Sequence, residues 1–146
     1  MPPILLDTNI LVYVFDIREP ERQSLALGLV ERMEREGVGR LSVQSLGEFF
    51  NVATRKLSLS PAAMYIQVER WREVFPVFNL TPQIVLEAAR GVRDHKLAYY
   101  DAQIWAAARL NQIPVLFSED FQDGLILEGV RFANPFLPTF DLESWL

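Results

Sequence analysis

Short runs of consecutive apolar residues recur along the chain, and charged or helix-like segments separate them. Ile4–Leu6 and Val115–Phe117 are the clearest of these runs. A continuous apolar run of this length is typical of a strand that is buried on both faces of a sheet. The predicted strands are about Ile4–Leu6, Arg40–Val43, Val115–Phe117 and Val130–Phe132, the last of them at an edge of the sheet.

Apolar residues at intervals of three and four predict helices between these strands. The first such segment begins near Glu21, carries Leu25, Ala26, Leu29, Val30 and Met33 on one face, and stops at Gly37. Ser60-Pro61 and Thr81-Pro82 each combine a capping hydroxyl with a proline at the first helical position, which is a helix start signal. The further predicted helices are Ser45 to Arg55, one from Pro61, one from Pro82, and Asp101 to about Asn111.

Alternating strands and helices predict a parallel sheet that is covered on both faces. We expect the 146 residues to form one domain, residues 1–146, with a substantial core. Cysteine is absent, so disulfides and thiolate sites are excluded, and a cytoplasmic location is the simplest expectation. The sequence contains neither a signal peptide pattern nor an apolar stretch of the ~18 residues that a membrane span needs.

Four carboxylates lie beside the ends of segments that should be buried. Asp7 follows the first apolar run, Glu48 follows the second, Asp101 opens a predicted helix, and Asp120 follows the run that ends at Phe117. A charge next to buried sequence is costly unless it is paired or bound to a metal. In parallel sheets, functional sites form beyond the carboxyl ends of the strands. We therefore interpret the four acids as one site at that edge.

The available side chains restrict the metal that such a site could bind. With no cysteine and a single histidine, His95, a zinc site of nitrogen and sulfur ligands is nearly ruled out. Carboxylates alone suit the hard cations Mg²⁺ and Mn²⁺. Two such ions about 3.5–4 Å apart can activate water and stabilise the leaving oxygen in phosphodiester cleavage. The net charge of −5 argues against a general polyanion binder but not against a nuclease of this kind.

The chain resembles the PIN-domain family, and most closely the VapC-like ribonuclease toxins. The resemblance rests on four motifs in the family's order, which together span nearly the whole chain. They are Leu6-Asp7-Thr8-Asn9, the segment from Ser42 to Glu48, Asp101-Ala102-Gln103-Ile104-Trp105-Ala106, and Ser118-Glu119-Asp120-Phe121.

This resemblance implies a three-layer α/β/α sandwich with a central, mainly parallel sheet, and Mg²⁺- or Mn²⁺-dependent cleavage of RNA. By position, Asp7, Glu48, Asp101 and Asp120 would be the catalytic, metal-binding acids. Asn9 and Ser118 would be supporting polar residues, and Asp123 an extra ligand through water. The family also implies a protein antitoxin as partner and a homodimer. The helix from Pro61 to Phe75 carries a wider apolar set than one core face needs, and we expect it to contribute to self-association.

Other interpretations of the same residues stay open at this point. Each acid alone is explained as well by a turn, a helix cap or a loop, and only their conjunction favours a site. A haloacid-dehalogenase-type phosphatase would need a second acid where Asn9 stands. The principal alternative is a non-catalytic PIN-fold module that binds RNA or protein.

Overall fold

The computed structural model describes residues 1–146 and contains one six-stranded sheet. The strand order is β3-β2-β1-β4-β6-β5, and every neighbouring pair is parallel except β5 and β6. The predicted α/β fold with a mainly parallel sheet is therefore confirmed. The strands are β1 (Ile4–Leu6), β2 (Gly39–Ser42), β3 (Val77–Phe78), β4 (Val115–Phe117), β5 (Ile126–Leu127) and β6 (Val130–Ala133).

Six α-helices connect or flank these strands. Side-chain caps begin several of them: Ser42, Ser60 and Thr81 each accept a hydrogen bond from a backbone N–H three residues on. Gly37 ends the second helix in the left-handed conformation, with a φ of 68°, as a glycine there allows. The helices are α1 (Thr8–Tyr13), α2 (Pro20–Glu36), α3 (Val43–Arg55), α4 (Pro61–Val74), α5 (Pro82–His95) and α6 (Tyr99–Leu110), and a 3₁₀ turn spans Leu142–Trp145.

The sheet divides the apolar interior into two clusters, one on each face. Ile4 and Leu6 point into the cluster formed with α1 to α4, whereas Leu5 points into the cluster formed with α5 and α6. β4 repeats this alternation: Val115 and Phe117 lie on the first side and Leu116 on the second. Both faces of the central strands are therefore covered, which gives the three layers.

Several details of the sequence prediction are wrong. β6 does not lie at the sheet edge, because the two-residue strand β5 pairs along its outer side. Helix α6 begins at Tyr99, so Asp101 lies in its first turn and does not open it. Helix α3 begins at Val43, two residues before the predicted start. Leu25 is more than half exposed, because the buried face of α2 consists of Ala26, Leu29, Val30 and Met33.

The carboxyl ends of β1 and β4 meet at one edge of the sheet. Leu6 pairs with Phe117, and the backbone N–H of Asp7 donates to the carbonyl of Phe117 at 3.0 Å. Asp7 and Ser118 are consequently neighbours at the first position beyond each strand. None of the helices is long and apolar enough to span a membrane.

Candidate metal and nuclease site

Asp7 forms the floor of the site. It is the N-cap of α1 and only 5% exposed. Its Oδ1 accepts a hydrogen bond from the Thr8 backbone N–H at 2.7 Å, and its Oδ2 accepts one from the Ser118 hydroxyl at 2.7 Å. Both carboxylate oxygens are thus held in place, although each keeps a free lone pair.

Ser118 and Asn9 connect Asp7 to Asp120. Because the Ser118 hydroxyl donates to Asp7, it accepts on its other side, from the Asn9 side-chain amide at 3.1 Å and from the Asp120 backbone N–H at 3.0 Å. The same Asn9 amide donates to Asp120 Oδ2 at 3.1 Å. The structure therefore joins four of the sequence-predicted residues, on α1 and on the segment after β4, in one hydrogen-bonded network.

Glu48 reaches the site from the second turn of α3. Its Oε2 accepts from the Thr8 hydroxyl at 2.8 Å, which links it to the residue after Asp7. Its Oε1 accepts from the Gln44 side chain at 2.9 Å, and Gln44 in turn accepts from Gln103 of α6 at 2.8 Å. Thr8 and the two glutamines thus fix the position of Glu48.

Asp101 is the one acid of the four whose carboxylate accepts no hydrogen bond in this structure. It is half-buried in the first turn of α6. Burial raises the pKa of Asp101 above its ordinary value, and the negative charges of Asp120 and Glu48 raise it further. This carboxylate is held close to other negative charges without a compensating donor.

Burial also raises the pKa of Asp7, to about 7. The hydrogen bonds from Ser118 and Thr8 oppose this shift, whereas the charges of Asp120 and Asp101 add to it. The four acids therefore interact electrostatically. The charges of Asp120 and Asp101 act on Asp7, and those of Asp120 and Glu48 act on Asp101. The arrangement concentrates negative charge at a single edge of the sheet.

The donor set fits a hard divalent cation. All of its ligand atoms are oxygens, which Mg²⁺ and Mn²⁺ prefer. The buried Oδ1 of Asn9 has no hydrogen-bond partner, and Asp101 has no donor, so acceptors remain available for a cation or its water. However, no group of three or more His, Asp or Glu side chains is arranged to hold a metal ion in this structure.

Asp123 stands apart from this network. It is exposed, and its Oδ1 accepts from the Asn134 backbone N–H at 2.8 Å, which ties the segment after β4 to the end of β6. The residues that the sequence analysis missed are Thr8, Gln44 and Gln103. Signals for two of them existed: Gln44 lies four residues before Glu48 on one helix face, and Gln103 is the one polar residue in the run from Ala102 to Ala108.

A second group of side chains is built around Glu119, the residue before Asp120. The Tyr13 hydroxyl donates to Glu119 Oε1 at 2.6 Å, and the Arg22 Nε donates to Glu119 Oε2 at 3.2 Å. The Arg22 guanidinium also lies over the rings of Tyr13 and Phe136, at 5.5 and 5.6 Å from their centroids. Burial and the Glu119 carboxylate raise the pKa of Tyr13 to about 12, so its hydroxyl remains a donor near neutral pH.

The family model of the PIN domain matches residues 4–122. No curated protein matches the sequence significantly. Among solved structures, a toxin–antitoxin complex from Klebsiella pneumoniae is 24% identical, with a TM-score of 0.62 over 91% of this chain and 98% of that one.

Two further solved structures have the same fold. The DNA-bound VapBC from Salmonella typhimurium is 19% identical, with a TM-score of 0.66 over 92% of this chain and 99% of that one. The VapC20 toxin of Mycobacterium tuberculosis, described as cleaving the sarcin–ricin loop, is 19% identical, with a TM-score of 0.62 over 80% of this chain and 91% of that one.

Proposed function

This chain belongs to the PIN domain family, and on that premise we propose that it is a metal-dependent endoribonuclease that hydrolyses phosphodiester bonds of RNA. The observation that carries the proposal is the network at the sheet edge, in which Ser118 and Asn9 connect Asp7 to Asp120. Asp101 and Glu48 are electrostatically coupled to the same group. The structural neighbour that is described as cleaving the sarcin–ricin loop supports RNA as the substrate class.

Asp7, Glu48, Asp101 and Asp120 are the residues that would hold Mg²⁺ or Mn²⁺. Two such ions, when bound, would supply an activated water and would stabilise the leaving oxygen. Asn9 and Ser118 orient the carboxylates of Asp7 and Asp120 by the hydrogen bonds described above. Asp123 would act only through water, since its carboxylate is engaged by the backbone at Asn134.

The expected products carry a 5′-phosphate and a 3′-hydroxyl. In this proposal water attacks phosphorus and no protein nucleophile takes part, so the RNA 2′-hydroxyl does not react. Incubating the protein with single-stranded RNA and Mn²⁺, followed by analysis of the product ends, measures this. A 2′,3′-cyclic phosphate, or cleavage that persists in excess chelator, contradicts the proposal.

The neighbours described as toxin–antitoxin and VapBC complexes support a role as the toxin of such a pair, with a protein antitoxin as partner. We place its action in the cytoplasm. A small open reading frame directly upstream that encodes a DNA-binding protein would support this role. When it is co-expressed, that protein should bind the chain and suppress its cleavage of RNA.

A non-catalytic PIN-fold module that binds RNA or protein is the second candidate. The observation that favours it is the lack of three acids arranged around a common metal position. Calorimetric titration with Mn²⁺ discriminates the two functions. A nuclease site binds Mn²⁺ and loses that binding in Asp101→Asn, whereas a pure scaffold shows no acid-dependent binding.

We further propose that the chain forms a homodimer through α4. Met64 and Trp71 of this helix are buried in the core, but Tyr65 and Ile66 remain about two-thirds exposed. An apolar groove beside them, of about 470 Å³, lies between α3 and α4. A symmetric contact would cover this surface in both copies.

Sedimentation equilibrium at micromolar concentration should therefore show a dimer. Tyr65→Glu should shift the protein to monomer, since it would place a charge in the buried contact. Tyr65→Phe keeps the apolar ring at the same position, should leave the protein dimeric, and serves as the control. A wild-type protein that sediments only as a monomer contradicts this proposal.

A further inference from the structure

We infer that Arg22 binds a phosphate of the RNA strand beside the scissile bond, and so positions the strand over the acids. This inference rests on the proposed ribonuclease function. It concerns the group formed by Tyr13, Arg22, Glu119 and Phe136, which the hydrolytic chemistry itself does not use.

The position of Arg22 follows from how α1 packs against the segment after β4. Asn9 and Tyr13 lie four residues apart and therefore on one face of α1, about 5–6 Å from each other at Cβ. Asn9 binds Ser118 and Asp120, whereas Tyr13 binds the residue between them, Glu119. Arg22 is bound to that same Glu119. Through Glu119, the guanidinium is thus joined to the segment that carries Ser118 and Asp120.

The Arg22 guanidinium is both fixed and available. Its side chain is 43% exposed, and only its Nε is engaged, by Glu119, so that neither terminal nitrogen has a hydrogen-bond partner. The two aromatic rings hold its plane. Arg18, the nearest comparable residue in the chain, instead uses both Nε and a terminal nitrogen to bind the buried Asp16. Arg22 therefore presents a free pair of donors, which suits a phosphate.

The charge of the protein favours such a contact. The chain carries a net charge of −5, and four of its acids lie at the proposed site, so an RNA strand is repelled as it approaches. A guanidinium that is already ordered offsets part of this repulsion and loses little side-chain entropy on binding. Removal of this contact should weaken RNA binding without changing the chemical step.

The test compares Arg22→Gln with the wild type. With single-stranded RNA and Mn²⁺, KM should rise about tenfold, the loss expected for one hydrogen-bonded charge, while kcat changes little. Fluorescence anisotropy of labelled RNA, with Asp101→Asn present in every protein to prevent cleavage, should show a slope of log binding constant against log salt that is smaller by about 0.7. Arg22→Lys should keep most of that slope but restore KM only in part.

Arg70→Gln is the matched control. Arg70 is a half-exposed arginine of α4 that pairs with Glu34. Glu34 lies in the last turn of α2, which leads into β2 at the end of the sheet opposite the acids. The Arg70→Gln variant removes the same charge as Arg22→Gln, and its salt slope and KM should equal those of the wild type. Thermal melts and Mn²⁺ titration of Arg22→Gln report any loss of folding or of the metal site.

Three outcomes overturn the inference, and the measured quantities distinguish them. If Arg22→Gln cleaves RNA with unchanged KM and salt slope, Arg22 does not contact phosphate, although the ribonuclease function stands. If kcat, Mn²⁺ binding and melting temperature fall together, the residue is structural. If the wild type itself fails to cleave RNA, the proposed function fails first, and Arg22 has no substrate strand to position.

Discussion

Asp101→Asn will reduce RNA cleavage by roughly 10³-fold, the effect of losing several kcal/mol of metal-dependent transition-state stabilisation. The same substitution will leave the fold intact. The Asp101 carboxylate accepts no hydrogen bond, and its pKa is raised by burial and by Asp120 and Glu48. Neutralising it therefore removes repulsion and breaks no contact.

Initial rates with excess Mn²⁺ measure this effect, and thermal melts in chelator measure the fold. Asp94→Asn is the matched control, because Asp94 is an acid near the end of the neighbouring helix α5 whose carboxylate binds Arg93 and Arg90 at the surface. Its activity should equal that of the wild type. An Asp101→Asn protein that retains wild-type cleavage would exclude the proposed metal site.

The part of this site that the sequence predicts best is the part that strands position. Asp7 and Ser118 each follow a short apolar run, and parallel pairing of those runs puts them side by side. The acids on helices were harder to place from the residues alone. Glu48 lies in the second turn of α3, and its contact with Thr8 depends on how α1 packs against α3.

Helix α1 itself was not predicted, because its six residues are too few to show a helical period. That omission hid the Thr8–Glu48 hydrogen bond and the group around Tyr13 and Glu119. The strands β3 and β5 were not predicted either, because two residues are too few to show the alternation of a strand. Such elements form because neighbouring strands supply their hydrogen bonds, and a local sequence pattern carries little of that information.

Asp7→Asn will abolish cleavage, and in metal-free protein its effect on stability will change sign with pH. The folded pKa of Asp7 is about 7, against an ordinary 3.8, because burial disfavours its charge. The native state therefore binds a proton more tightly than the unfolded state does. The stability that Asp7 contributes to the wild type is fullest below about pH 4 and declines as pH rises to about 7, by roughly 4 kcal/mol for a shift of this size.

Asparagine at this position cannot ionise and escapes that decline. It does lose one of the two hydrogen bonds that Asp7 accepts, from Thr8 or from Ser118, at a cost of about 1–2 kcal/mol. At pH 8 the variant should consequently be more stable than the wild type by roughly 2 kcal/mol, or several degrees in Tm. At pH 4, where the carboxyl of the folded wild type is protonated and little of this decline has occurred, the variant should be the less stable protein.

Thermal or urea unfolding in chelator across pH 4 to 8 measures this crossover, and Asp123→Asn is its control. Asp123 also accepts a backbone hydrogen bond, but it is exposed. The difference in the free energy of unfolding between Asp123→Asn and the wild type should therefore keep the same sign across the pH range. Adding Mn²⁺ at pH 8 should stabilise the wild type and leave Asp7→Asn nearly unchanged, since only the wild type keeps its full set of acids. If Asp7→Asn is less stable than the wild type at every pH, Asp7 stabilises the fold through its hydrogen bonds. That result would contradict the proposal that Asp7 is buried at an energetic cost in order to bind a cation.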